Sequence, residues 1–389
     1  MSATWPPHRP RHTPRLTPQL TPQLSPEHRP PYRPSHRPLY LAAEIGGQRA
    51  YDAAWYVELA RLAERGALDF VTLQDSFTRP GLDALAVLSR VAPATERIGL
   101  VPTVTTTHTE PFHVSAAVAT LDWVSRGRAG WLVDVSTTPA EARLFGRRPA
   151  APAPALWQEA GEVADVAARL WDSWEDDAEI RDISTGRFID RDKLHYVDFE
   201  GATFTVRGPS IVPRPPQGHP VTVVDVTGGH SGESAARHAD VVLVGAGRPD
   251  EAAAVRETLR ARAADHGRDP DTLRVLAALT IDLGDGERPG EPGLESAPRT
   301  TAGDTGPHYR GGPVDLADLI TTWHGTGAVD GFHLTPAEPR RDLERLVNGT
   351  VALLQHRSLF RTFHPGGTLR EHLSLARPAN QYASAGGTS

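Results

Sequence analysis

From Leu39 onward, short unbroken apolar runs alternate with segments in which apolar residues recur every three or four positions. The first pattern predicts strands buried on both faces, and the second predicts amphipathic helices. The apolar runs are LYLAAEI (39–45), FVTLQD (70–75), IGLVPTVT (98–105), AGWLVDV (129–135), VTVVDV (221–226), DVVLV (240–244), LRVLAALTIDL (273–283) and GFHLTP (331–336). Between them, AAWYVELARLAERG closes on Gly66, a second helix is predicted over 82–92, and EPFHVSAAVATLDWVSRG carries Pro111 in its first turn behind an acid. Further helices are predicted over 156–173, after the glycines at 228–232, and over 250–266, 314–325 and 340–357. Each strand precedes a helix, although the helix after the seventh lies beyond a long linker. Eight such units predict an α/β fold, a (β/α)8 barrel of the TIM type, with a doubly wound open sheet as the alternative.

Two stretches break the pattern. HYVDFEGATFTVRGP (195–209) alternates about a Glu-Gly turn and predicts a hairpin insertion. Residues 284–313 are rich in Gly, Pro and charge, without periodicity, and read as a linker. Residues 1–38 hold recurring Pro, Arg and His, with echoes such as LTPQLTPQLSP, and predict a disordered tail. The barrel is then expected over 39–380, with a flexible end over 381–389.

Composition narrows the chemistry. A net charge of −7 argues against a nucleic-acid partner. There is no cysteine, so disulfides, thiolate catalysis and Cys-ligated metals are excluded, and Lys193 is the only lysine. No run approaches the roughly 20 apolar residues that span a bilayer, and no apolar leader opens the chain, so a cytoplasmic location without membrane association is expected. No metal-ligand spacing, Walker A, G-x-G-x-x-G or G-x-S-x-G motif is present.

Barrel ligands sit at the C-terminal ends of the strands. That places Asp75, Thr105 to His108, Val133 to Ser136, Val226 to Gly229, Gly245 to Gly247, His333 and Thr335 at the expected mouth. The stretch TGGHSG (227–232) follows a strand and opens a helix, an arrangement that can offer backbone N–H groups to a phosphate. Trp123, Trp131, Trp171 and Trp174 fall in strong element patterns and are expected as core fill.

Several fragments, collinear between Tyr56 and Ala383, carry a resemblance: YVELARLAERGALDFVTLQDS, ATLDWVSRGRAGW, LWDSWEDDA, VRGPSIVPRPPQGHPV, AARHADVV and SLFRTFHPGGTLREHLSLARP. They resemble the flavin-dependent monooxygenases of the bacterial-luciferase-like superfamily, in the branch of the nitrilotriacetate, dibenzothiophene-sulfone and pristinamycin-type enzymes. The resemblance implies a (β/α)8 barrel that takes reduced FMN from a separate flavin reductase and uses it with O2 to oxidise a small organic substrate. It also implies a homo-oligomer.

By the same resemblance, Asp75 lies beside the flavin ring, unless it serves as a helix N-cap. Thr106 contacts the flavin or bonds only backbone. His108 is a proton donor, a substrate contact or a surface histidine. At the phosphate end, Thr227 and Gly228 match the family's two serines, so one hydroxyl is kept, and Trp157 replaces a phosphate-binding tyrosine. Other departures are Leu132 for an asparagine, Asp134 for a valine, Ala153 for a histidine, and Leu156 and Glu159 for arginines. The linker over 284–313 is shorter than the family's, which implies less cover over the mouth. These departures leave a non-catalytic barrel acting as an accessory subunit as one alternative, and a deazaflavin-dependent oxidoreductase as another.

Overall fold

The computed structural model describes residues 37–46, 51–284, 293–295 and 306–383. The predicted tail lies outside the described residues apart from Arg37 and Pro38, as does most of the predicted flexible end. The eight predicted strands are all present: β1 (Tyr40–Glu44), β2 (Phe70–Leu73), β3 (Gly99–Thr105), β4 (Gly130–Asp134), β5 (Val221–Asp225), β6 (Val241–Val244), β7 (Arg274–Asp282) and β8 (Gly331–Pro336). Each pairs in parallel with its neighbours in chain order, and β8 returns to β1 with Ala42 opposite His333. The ring is therefore closed, which overturns the open-sheet alternative.

Alternate residues along each strand face opposite ways. Tyr40, Ala42, Phe70, Val101, Val223 and Leu243 pack together as the barrel interior. Their sequence neighbours Leu41, Ala43, Val71 and Leu100 belong instead to the larger cluster beneath the helices. Close packing inside a small barrel leaves little room at the strand starts. A Cβ on Gly331 would stand 1.9 Å from the carbonyl oxygen of Tyr40. Gly331→Ala is therefore expected to destabilise the fold by about 1–3 kcal/mol, read as a lower urea midpoint.

The helix layer comprises α1 (Ala53–Arg65), α2 (Ala84–Val91), α3 (Pro111–Ser125), α4 (Pro139–Phe145), α5 (Ala153–Asp172), α6 (Gly232–His238), α7 (Pro249–Asp265), α8 (Pro313–Gly325) and α9 (Pro339–Arg345). The predicted single helix over 340–357 is split, since a π-helical segment, Leu346–Val351, separates α9 from Ala352–His356. In α1, Tyr56, Leu59, Ala60 and Ala63 are buried at helical spacing, and the Asp52 carboxylate accepts from the N–H of Ala54. Helix α4 falls between the strand predicted to end at 135 and the helix predicted from 156, where no element was expected. Thr138 and Glu141 form a reciprocal capping box at its start.

The predicted hairpin is present as Phe199–Glu200 against Thr205–Val206. A second hairpin, Glu179–Asp182 against Arg187–Ile189, was not expected. The linker reading of 284–313 needs correction at its described ends. Residues His308–Arg310 extend the sheet beside β7, and Gly293–Glu295 pairs with them antiparallel. Trp131, Trp171 and Trp174 are buried as expected. Trp123 is half-exposed and donates its indole N–H to the Pro213 carbonyl.

Candidate active site

Above the apolar floor, the inward-facing positions at the strand ends turn polar. Glu44 ends β1, Asp134 ends β4, Asp225 ends β5, and Thr335 lies near the end of β8. Burial pushes the Glu44 carboxyl up to about 7, opposed by the nearby Arg79 charge and by hydrogen bonds from the Thr335 and Gln74 side chains. Burial also pushes Asp225 up to about 6, and the neighbouring Asp134 charge adds to that rise. Asp134 is itself raised, first by burial. The register Val133↔Val224 makes Asp134 and Asp225 the next pair along adjacent strands. Glu44 thus divides between its two protonation states near neutrality, which is what a proton-exchanging group requires.

A cavity of about 890 Å³ opens over β1, β2 and β8, lined by Glu44, Gln74, Asp75, Arg79, Trp55 and Thr335 among others. Asp75 reaches it, but its carboxylate accepts the N–H of Ser76 at 2.7 Å and that of Ala84 at 2.9 Å, at the start of α2. The carboxylate thus serves the helix start while facing the cavity.

Thr106 is buried and ties β3 to β4, its N–H and hydroxyl both donating to the Asp134 carbonyl, at 2.9 and 3.0 Å. Its hydroxyl proton is committed to backbone, which leaves oxygen lone pairs as its remaining capacity.

His108 lies apart from Asp75, beside a second cavity of about 200 Å³ that also touches Arg147, Arg148, Glu159 and Phe204. Its backbone is left-handed, with φ of 68°, a conformation that costs a non-glycine residue roughly 1–2 kcal/mol. The ring stacks on Phe145 with centroids 4.8 Å apart, and both ring nitrogens are buried without a hydrogen-bond partner. Burial, then the charge of Arg148, lowers the imidazole's basicity.

The glycine loop is spent differently from the expectation. The N–H of Thr227 donates to Asp225 Oδ1 at 2.8 Å, and the Thr227 hydroxyl bonds the same carboxylate. The Ser231 hydroxyl donates to the Asp225 carbonyl at 2.6 Å, and the Gly229 N–H to that of Val226 at 3.0 Å. Gly228 is exposed, with open space where a Cβ would stand. Helix α6 beyond it has only seven residues. Trp157 sits half-buried on α5, packed against the core under the helices.

Glu44 was missed in the sequence. A single acid, next to last in the run LYLAAEI, was its only signal.

The luciferase-like monooxygenase family model matches residues 25–288. The N-acetyl-S-(2-succino)cysteine monooxygenase of Bacillus subtilis is 31% identical, over 85% of this chain and 91% of its own length. Component A of the nitrilotriacetate monooxygenase of Aminobacter aminovorans is 32% identical, over 86% and 92%. The chain belongs to the luciferase-like monooxygenase family. Among solved structures, the EDTA monooxygenase of Chelativorans sp. BNC1 shares the fold with a TM-score of 0.76 at 23% identity, over 88% of this chain and 99% of that one.

In this flavin-dependent monooxygenase the departures from the family residues have local consequences. Leu132 packs against the barrel floor. Leu156 is buried under α5. Glu159 is gripped by Arg148 in a two-point pair at 2.7 and 2.5 Å. The Glu159 carboxylate is therefore neutralised by an arginine from the loop between α4 and α5.

Proposed function

We propose that this monooxygenase takes reduced FMN from a separate flavin reductase and uses it with O2 to oxidise a small organic molecule seated in the cavity over β1, β2 and β8. The observation that carries the reading is the buried Glu44 carboxyl, poised near neutrality in a cavity of about 890 Å³ at the barrel mouth. That volume falls within the roughly 300–1,000 Å³ of small-molecule sites. Cofactor-sized room and orphaned polar atoms at the mouth, such as the His108 ring nitrogens, fit a polar cofactor. Reduced FMN, when bound, supplies the activation of oxygen, and the protein supplies position, dryness and protons.

Each residue has a part in this reading. Trp55, Leu73 and Leu82 give the cavity an apolar wall. Glu44 holds or releases a proton at its carboxyl, oriented by Thr335 and Gln74. Asp75 and Thr106 face the ring and ribityl chain as acceptors, since their polar contacts to backbone leave lone pairs free. Trp157 covers the phosphate end, where Thr227 is committed to Asp225 and Gly228 contributes an open backbone. We further propose a homo-oligomer acting in the cytoplasm; no helix among the described residues is long and apolar enough to cross a membrane.

Titrating the purified protein with oxidised FMN, reduced FMN and a deazaflavin tests the reading. Reduced FMN is expected to bind in the micromolar range. Preference for the deazaflavin would replace oxygen chemistry with hydride transfer. Binding of none would leave a barrel acting as an accessory subunit.

A further inference from the structure

We propose that His333 is a positioning residue for Glu44: held beneath the mouth, it commits the Thr72 hydroxyl to donate toward the Glu44 carboxyl when that group is ionised. The inference rests on the proton-exchanging part proposed for Glu44.

The strand register gathers the three side chains. On β8, His333 has Ala278 of β7 and Ala42 of β1 as its partners, both in the barrel interior. Two small neighbours leave room for an imidazole inside the barrel, and His333 is buried there. Its Nε2 reaches past β1 to Thr72 on β2, 2.7 Å from the hydroxyl oxygen. Thr72 is in turn the partner of Glu44 between β2 and β1. Thr335 follows His333 by two residues, on the same face of β8, and its side chain hydrogen-bonds Glu44. Glu44 is therefore flanked by two threonines, and the histidine one layer below is tied to one of them.

The histidine's hydrogen decides which way the Thr72 hydroxyl points. Burial lowers the imidazole to about 4 without help from any charged group, so the ring is neutral and carries one N–H. Its Nδ1 is buried and has no partner among the described residues. A hydrogen there would be a buried donor without an acceptor, which costs more than an unmatched lone pair. The hydrogen therefore sits on Nε2 and is donated to Thr72 Oγ1. That leaves the threonine's own hydrogen free to point at another acceptor, and its register partner is an acid.

Glu44 has capacity for it. Thr335 and Gln74 supply two donors, while an ionised carboxylate offers about four acceptor positions. Strands about 4.8 Å apart bring a hydroxyl and a carboxyl on one face within reach of each other. A third donor favours the charged form, which burial disfavours and only the Arg79 charge otherwise supports among the described residues. Asp75, Glu338, Arg340, Arg341 and Glu344 line the same cavity. Neither Thr72 nor His333 gives up a proton; they set how readily Glu44 does.

Infrared difference spectra of the native protein against Glu44→Gln isolate the protonated Glu44 carboxyl, and its loss with rising pH gives the midpoint without any flavin. Thr72→Val, nearly the same in shape, should raise that midpoint by about one pH unit or more, the worth of a hydrogen bond to a charged group. Thr72→Ser keeps the hydroxyl and should restore the native midpoint. His333→Leu should act like Thr72→Val, and His333→Gln, which keeps an N–H, should shift the midpoint less. Nitrogen-15 spectra should place the His333 hydrogen on Nε2.

Should His333→Leu fail to fold, the two Thr72 variants decide the matter. Equal shifts in Thr72→Val and Thr72→Ser would reduce the threonine to packing and overturn the inference. A native midpoint in Thr72→Val would do the same, as would a hydrogen on Nδ1, and all three results leave the part proposed for Glu44 standing. A native Glu44 that stays protonated well above neutrality would overturn that part and the inference together, whatever the flavin titration shows.

Discussion

Arg214→Met is expected to cost about 3–5 kcal/mol of unfolding free energy, measured as a lower urea midpoint at unchanged slope. Arg214 and Asp172 are both almost fully buried, and the Arg214 Nε donates to Asp172 Oδ1 at 2.9 Å. The same guanidinium reaches Asp176 at 3.1 Å and the Pro378 carbonyl at 2.8 Å. Burial alone would raise the Asp172 carboxyl, but His219 and Arg214 reverse that and hold it below its ordinary value. Removing the arginine leaves a charge in the interior with His219 and Gln381 as its remaining support. Arg214→Lys keeps the charge without the fork and should recover only part of the loss. A loss below about 1 kcal/mol in Arg214→Met would mean that the pair is not desolvated as described. The effect should also reach the site. Asp172 ends α5, whose first turns carry Trp157 and Glu159, so FMN affinity should weaken along with stability.

The barrel was legible because its strands are buried on both faces, which makes them unbroken apolar runs. GFHLTP was expected over 331–336 and β8 spans those residues. Exposed insertions send no such signal. The hairpin at Glu179–Asp182 mixes charged residues with Ile180 and Phe188, both exposed, and α4 buries only Ala142, so neither buries an apolar face. The capping signature Thr138-x-x-Glu141 was nonetheless present in the chain.

For the site, position was legible and partner was not. Asp75 and Thr106 lie at the expected strand ends, yet which acceptor or donor each engages depends on backbone brought in from elsewhere, Ala84 for one and Asp134 for the other. Thr227 is an instructive case. Asp225 lies two residues before it, and a carboxylate readily accepts the N–H two positions on, so a local turn competes with any phosphate for that donor. Glu44 was overlooked because its neighbours Gln74 and Arg79 come from the loop after β2 and Thr335 from β8, and only closure of the ring brings them together.

Asp225→Asn and Glu44→Gln are each expected to stabilise the protein above neutrality and to leave it nearly unchanged in acid. The folded state raises Asp225 from 3.8 to about 6 and Glu44 from 4.5 to about 7. A raised carboxyl binds its proton more tightly when folded, so its contribution is fully present below the unfolded value. That contribution is lost as pH climbs through the folded one. For Asp225 the loss runs between about pH 4 and 6, and for Glu44 between about pH 4.5 and 7. Each shift of somewhat over two units corresponds to roughly 3 kcal/mol as an upper bound. An amide cannot ionise and escapes the loss while keeping an acceptor for Thr227 or a partner for Thr335. Urea unfolding at pH 4 and pH 8 reads the difference. A gain of the same size at both values would contradict buried, proton-binding acids at the mouth. The gain at pH 8 should be matched by lost turnover in Glu44→Gln, because the group that costs stability there is the one able to exchange a proton. Asp225→Asn removes an anion from the mouth without touching that group. It should therefore tighten binding of reduced, negatively charged flavin rather than abolish activity, which separates the roles of the two acids in one pair of variants.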